Sequence, residues 1–188
     1  MNVKKAIKER RAFRSLKPIQ ISNELITDLA ETVQIAPSCG NKQPWNFVFV
    51  KESNNLELLF TTLSEGNKWV ENASMIIGLF SKPEKDCIIG DRIYYLFDLG
   101  IAAAFIILRA TELGLIAHPI AGFNEQNAKN ILKIPDEMRL ITLIIIGKHS
   151  KEINPVLSES MKLGEKQRPP RKTLGEFVYL ENYNNKIY

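Results

Sequence analysis

The run from Arg139 to Gly147, RLITLIIIG, constrains this chain more than any other stretch. A continuous series of leucines and isoleucines has no polar alternation, so a strand built from it must be covered on both faces and lie inside a sheet. A second run, SMIIGLFS from Ser74 to Ser81, is short, uncharged and followed by Pro83, and reads as another buried strand. Such strands require apolar helices packed over them.

The rest of the chain supplies those helices. Val3 to Arg11 reads as a short helix. Ser22 offers an N-cap with Glu24 in the first turn, and Leu25, Ile26, Leu29, Ala30 and Val33 form a stripe that stops at Pro37. After a loop from Pro37 to Trp45, NFVFVK (Asn46 to Lys51) reads as a strand. The segment from Asn54 to Leu63 predicts a helix, with Asn54 and Glu57 at capping-box spacing. A long helix is expected from about Asp91 to Leu113, ending at Gly114 as a C′ glycine. Its uncharged stretch, Leu99 to Leu108, falls well short of the roughly 20 residues that a bilayer span needs, so it reads as buried in a core or a subunit interface. Ile116 to Ile120 predicts a short strand, and Asn124 can cap a helix that ends before Pro135.

From about residue 150 to 188 the composition turns polar and basic. This part reads as an extended arm in which EFVYL could add as a strand or pack on a neighbour. The expected fold is a single α+β domain over residues 1–188, with three layers and a small central mixed or antiparallel sheet flanked by helices.

A chain of 188 residues with 45% hydrophobic content can bury an ordinary core. Its 25 Lys and Arg against 21 Asp and Glu give a net charge of +4, a mild excess that suits a phosphorylated ligand, nucleic acid or neither. The two cysteines, Cys39 and Cys87, form no Cys-x-x-Cys pair and have no histidine at metal-ligand spacing. A reduced, cytoplasmic setting fits them best, with Cys39 as a small packing residue. The N-terminal MNVKKAIKERRAFR lacks the apolar core of a secretory signal.

Few residues offer side-chain catalysis. His118 and His149 lie on different elements with no nucleophile signature beside them, and no Walker loop or Gly-x-Gly-x-x-Gly follows a strand. Chemistry in such a chain would fall to a bound cofactor. Arg10, Arg11 and Arg14 in RRAFR could present planar donors to a phosphate, with Arg10 and Arg14 on one helical face, or could simply complement the dipole of the first helix. Arg168, Arg171 and Lys172 around Pro169 and Pro170 form a second basic group, readable also as a solvated arm. In the loop after Pro37, Asn41 and Gln43 carry donors and acceptors that suit a heteroaromatic ring, while an Asx-turn at Asn41 and a core Trp45 would serve structure alone.

Five blocks carry a resemblance: ERRAFRSLKP, APSCGNKQPWNFVFV, WVENASMIIGLF, DLGIAAAFIILRATELGLIAHPIAGF and RKTLGEFVYLE. In this order, over nearly the whole chain, they resemble the nitroreductase family of FMN-dependent oxidoreductases. The resemblance implies a homodimer with two FMN sites at the subunit interface and a C-terminal arm wrapping the partner. It assigns Arg10, Arg11, Ala12 and Arg14 to the phosphate, the ribityl chain and the N1/O2 side of the flavin. Pro37, Ser38, Cys39, Asn41 and Gln43 match the loop against the isoalloxazine, largely from the other subunit. Ala121 and Gly122 match the turn whose backbone faces N5, Asn67 or Lys68 a polar contact, and Arg168, Arg171 and Lys172 the segment that completes the phosphate site.

Three departures stand out: Arg11 and Ala12 where Ser or His is common, Cys39 in place of Ser or Ala, and Ala121 in place of an acidic residue. The implied chemistry is hydride from NADH or NADPH to N5 and on to a small electron-poor acceptor such as a nitroaromatic or quinone, in a ping-pong cycle. Arg14 would stabilise charge at N1/O2, no catalytic side chain would be needed, and no metal, membrane or nucleic acid would be involved. A specialised flavin enzyme of the same fold, flavin-fragmenting or dehalogenating, is the alternative. A small basic nucleic-acid-binding module is the alternative from another class; it needs aromatics interleaved with the basic residues, and only Phe13 and Tyr179 are near.

Overall fold

The apolar run around Leu143 sits where its composition demands. In the computed structural model, which describes residues 1–187, the chain runs α1 (Val3–Glu9), β1 (Leu16–Lys17), α2 (Asn23–Gln34), β2 (Asn46–Val50), α3 (Ser53–Phe60) and β3 (Met75–Ser81). It continues through β4 (Ile88–Ile89), β5 (Arg92–Ile93), α4 (Tyr95–Glu112), β6 (Ile116–Ile120), α5 (Glu125–Leu132), β7 (Arg139–His149) and α6 (Glu159–Lys166), with short 3₁₀ turns between.

β7 is the spine of a five-stranded sheet in which every pairing is antiparallel. One edge of β7 pairs with β3, which in turn pairs with β2. The other edge is shared end to end by β6, opposite Leu143 to Gly147, and β1, opposite Lys148 and His149. Because side chains alternate across a strand, β7 feeds two cores. Ile144 and Ile146 join Met75 and Ile77 beneath α2 and α4, with Leu29, Val33, Leu99 and Ile106. Leu143 and Ile145 join Ile76 on the other face, with Leu56, Leu59, Trp69 and Ala128. The fold is therefore a three-layer α+β arrangement, as expected.

Local signals acted as expected at several boundaries. Ser22 Oγ accepts the Leu25 N–H at 3.2 Å and starts α2, and Asn124 Oδ1 accepts the Asn127 N–H at 2.9 Å and starts α5. α4 ends at Glu112 with Leu113 as its C-cap, and Gly114 follows at φ 73°.

Elsewhere the structure corrects the reading. α1 stops at Glu9, so Arg10 and Arg14 share no helical face: the chain must leave the helix and extend for Ser15 and Leu16 to reach β7. α4 begins at Tyr95, because Ile88 to Ile93 forms the β4–β5 hairpin ahead of it. α3 starts after Glu52 without any side-chain cap, so Asn54 is not its cap. The arm contains α6, and among the described residues EFVYL adds to no sheet strand: Tyr179 forms an isolated bridge with Lys186. Cys39 and Cys87 are not free thiols; they form a disulfide with Cα atoms 6.0 Å apart.

Candidate functional site

The extended segment from Arg10 to Ser15 is fixed from both sides. Glu165 of α6, itself buried, accepts the backbone N–H of Arg14 at 2.8 Å and of Ser15 at 3.1 Å. Arg11 donates to the Gly164 carbonyl at 2.7 Å and lies over the Phe13 ring, 4.6 Å from its centroid. On its other contacts Phe13 stacks with His149, centroids 3.7 Å apart.

Below the segment, the Phe13 carbonyl receives the Nδ1–H of His118 at 3.3 Å, since a carbonyl can only accept. His118 is buried against Trp69, and burial, reinforced by the charge on Arg14, pushes its pKa down to about 4. It is a neutral packed ring.

Arginines converge here. Arg168 donates to the carbonyls of Lys8 at 2.8 Å and Arg10 at 2.9 Å, which ties the arm to the end of α1. The Arg10 pKa is lowered first by partial burial and then by the charges of Arg168, Arg171 and Arg11, so these four cations lie within mutual repulsion. Among the described residues none of Arg10, Arg11, Arg14, Arg168, Arg171 or Lys172 forms an ion pair. Cations gathered without a carboxylate are stabilised by a bound anion, and planar guanidinium forks match a phosphate. Ala12 contributes only backbone between Arg11 and Phe13, and Lys172 is exposed on the arm.

A polar relay leads from this cluster to the predicted turn. Arg14 lies 6.0 Å from the Trp69 ring centroid, Trp69 Nε1 donates to Asn67 Oδ1 at 3.3 Å, and Asn67 Nδ2 donates to the Gly122 carbonyl at 2.9 Å. The Ser64 N–H donates to the same carbonyl at 3.0 Å. Asn67 rather than Lys68 faces the turn; Lys68 points to Glu65 at 3.5 Å on the surface. A Cβ on Gly122 would stand 2.5 Å from Ser64 Oγ, so a larger residue there would have to displace that hydroxyl. Ala121 beside it is exposed.

The second predicted group stands apart. No hydrogen bond or ion pair among the described residues joins the loop from Pro37 to Gln43 to the arginine cluster. The loop is held instead by Asp98 of α4, whose Oδ2 accepts the Cys39 N–H at 2.8 Å, and by Ser38 Oγ, which accepts the Gln43 N–H at 2.9 Å. The disulfide to Cys87 fastens it to the segment after β3. Gly40, Asn41 and Gln43 all have positive φ, at 53°, 56° and 47°. Left-handed backbone at two non-glycine residues is strained, and surrounding bonds must hold it. Asn41 and Gln43 remain exposed at the loop tip, their side chains bonded to each other at 3.1 Å.

The Glu165 anchor and the disulfide were invisible to residue reading. Ser158 ahead of Glu159 was a usable capping signal for α6, since Ser158 Oγ accepts the Met161 N–H at 3.4 Å.

Comparison with known proteins identifies the fold and the family. A protein of Archaeoglobus fulgidus, provisionally named an NADH dehydrogenase/NAD(P)H nitroreductase, is 26% identical over 147 residues, covering 76% of this chain and 83% of its own. A nitroreductase family protein from Clostridium novyi NT, solved by crystallography, superposes with a TM-score of 0.73 at 25% identity, covering 100% of this chain and 97% of its own. A structure described as an oxidoreductase containing FMN superposes at 0.82 with 24% identity, covering 96% of this chain and 92% of its own. The family model for nitroreductases matches residues 7–77 and 65–148, spanning the arginine segment, the loop, Asn67 and the Gly122 turn; the chain belongs to the nitroreductase family.

Proposed function

We propose that the protein is an FMN-dependent oxidoreductase that takes reducing equivalents from NADH or NADPH and delivers them to a small electron-poor acceptor such as a nitroaromatic or a quinone. The observation that carries this reading is the convergence of Arg10, Arg11, Arg168 and Arg171 without an acidic partner. The names of the Archaeoglobus relative and of the FMN-containing neighbour support it.

When bound, FMN supplies the hydride acceptance and donation that the side chains here lack. The residues do the rest. Arg10, Arg168 and Arg171 hold the phosphate by charge-assisted hydrogen bonds. Arg14, carried on backbone fixed by Glu165, would supply positive charge to the bound ring. Asn67 holds the Gly122 turn at the ring.

A homodimer accounts for the separation of the two groups, with the strained loop of one copy, Pro37 to Gln43, serving the arginine cluster of the other. Leu96 and Phe97 on α4 and Phe177 and Leu180 on the arm are 42%, 59%, 55% and 48% exposed, apolar surface suited to burial between copies. Among the described residues no helix is long and apolar enough to cross a membrane. We place the protein in the cytoplasm, where reduced nicotinamide is available and a disulfide is usually one that opens and closes.

Parallel titrations with FMN and riboflavin, followed by flavin fluorescence, test the assignment. FMN should bind at least tenfold more tightly than riboflavin, and Arg168→Ala should remove most of that difference, leaving riboflavin binding intact. Equal affinity for the two flavins would remove the arginine cluster from the site.

A further inference from the structure

The bridge between Cys39 and Cys87 lies beside two buried carboxylates that the flavin chemistry does not use. The Cys39 and Cys87 sulfurs and a carboxylate oxygen of Asp86 all lie within 4.8 Å of one another. Asp86 is 3% exposed. One of its oxygens accepts the Cys87 N–H at 2.7 Å, and the other, Oδ2, is buried without any hydrogen-bond partner. Asp98, 1% exposed, is its neighbour and is bonded to the Cys39 N–H. Among the described residues, the Asp98 carboxylate and the Lys42 ammonium lie close enough to act on Asp86 electrostatically.

A buried carboxylate oxygen with no donor is costly. Cleavage of the bridge changes the site: two sulfurs appear that can become thiolates, adding negative charge beside two buried carboxylates. Two thiolates and a carboxylate form the kind of mixed sulfur and oxygen set that binds zinc, with one position left for water. We propose that the reduced form of this cluster is a site for a thiophilic divalent cation, held by Cys39, Cys87 and Asp86, and that disulfide and metal are alternative occupants of one place.

The steps balance with a dithiol as the reductant. Its two thiols are oxidised to a disulfide, the Cys39–Cys87 bond takes up two electrons, and each sulfur gains a proton. Metal binding then displaces those two protons to solvent as the sulfurs coordinate. Asp98 keeps its bond to the Cys39 N–H and so orients that ligand from behind. Cys39 stands in the strained loop and Cys87 just before the β4–β5 hairpin, so either occupant fastens the loop to the hairpin.

Equilibrium dialysis of the full chain against zinc, with elemental analysis, tests this independently of flavin and activity. Protein treated with a dithiol, freed of it without oxygen and shown by thiol counting to have two reactive cysteines should retain one zinc per chain. The same protein oxidised to the disulfide should retain none. Asp86→Asn keeps both thiols and the fold's shape, and should lose more than the roughly 10–100-fold in affinity that removing an outer-shell partner costs. Cys87→Ala should abolish retention. Reduced protein that holds no zinc with both thiols counted, or oxidised protein that holds as much as reduced, would overturn the proposal, as would unchanged affinity in Asp86→Asn.

Discussion

The side-chain amide of Asn67 donates to the Gly122 carbonyl at 2.9 Å, and the Ser64 N–H donates to the same oxygen at 3.0 Å. Two donors from the turn after α3 thus fix the backbone just past the end of β6.

Substitution at that contact should be costly out of proportion to its size. A Cβ on Gly122 would lie 2.5 Å from Ser64 Oγ and 2.7 Å from Asn67 Nδ2, so the Asn67 amide donor and the Ser64 hydroxyl must both shift. Gly122→Ala should destabilise the protein by about 1–3 kcal/mol, as overpacking does, and weaken flavin binding with it. Asn67→Ala should cost about 1 kcal/mol in urea unfolding, the usual worth of one hydrogen bond.

Glu165 should matter to the arginine segment although it touches no ligand. Its carboxylate satisfies the Arg14 and Ser15 N–H groups, and Ser15 is 1% exposed. Glu165→Ala leaves these donors unpaired and should cost about 1–3 kcal/mol, measured by urea unfolding. Glu165→Gln keeps one acceptor and should recover part of the loss.

Stability should fall with acid in a window set by His118. Its pKa is about 4 in the folded chain against 6.5 ordinarily, because burial disfavours the charged ring. Between these values the unfolded chain binds the extra proton, so stability is complete above about pH 6.5 and declines as pH falls toward 4. The loss from this one residue is of order 3 kcal/mol at most. Urea unfolding at pH 7 and pH 5 should show a smaller difference for His118→Gln than for the wild type.

Opening the bridge should release the loop. Cys39 and Cys87 are 48 residues apart, and in the chain-entropy account closing such a loop stabilises by about 4 kcal/mol. Cys87→Ser should lower the thermal midpoint relative to oxidised wild type and match wild type kept reduced without metal. Limited proteolysis of the variant should cut first between Pro37 and Gln43, where Gly40, Asn41 and Gln43 depend on neighbouring bonds for their conformation.

The layers of this fold are legible in the sequence because they rest on patterns within single elements. The apolar run of β7 announces a central strand, and Ser22 and Asn124 announce helix starts by their own side chains. The site is legible mainly through resemblance, because its partners come from distant parts of the chain. Glu165 caps Arg14 across 151 positions, and Cys39 meets Cys87 across 48. The arginine segment departs from its local signal for a related reason. Composition from Arg10 to Arg14 suits a helix, but the pairing of Leu16 with His149 draws the chain into an extended path. Tertiary pairing overrides local preference there.

Anaerobic reduction of the FMN-loaded protein tests the central claim most directly. Addition of NADH or NADPH should bleach the visible flavin band, and a quinone or nitroaromatic added afterwards should restore it, with parallel lines in double-reciprocal steady-state plots. A protein that takes up FMN but is bleached by neither nicotinamide, or that takes up no FMN at all, would contradict the account.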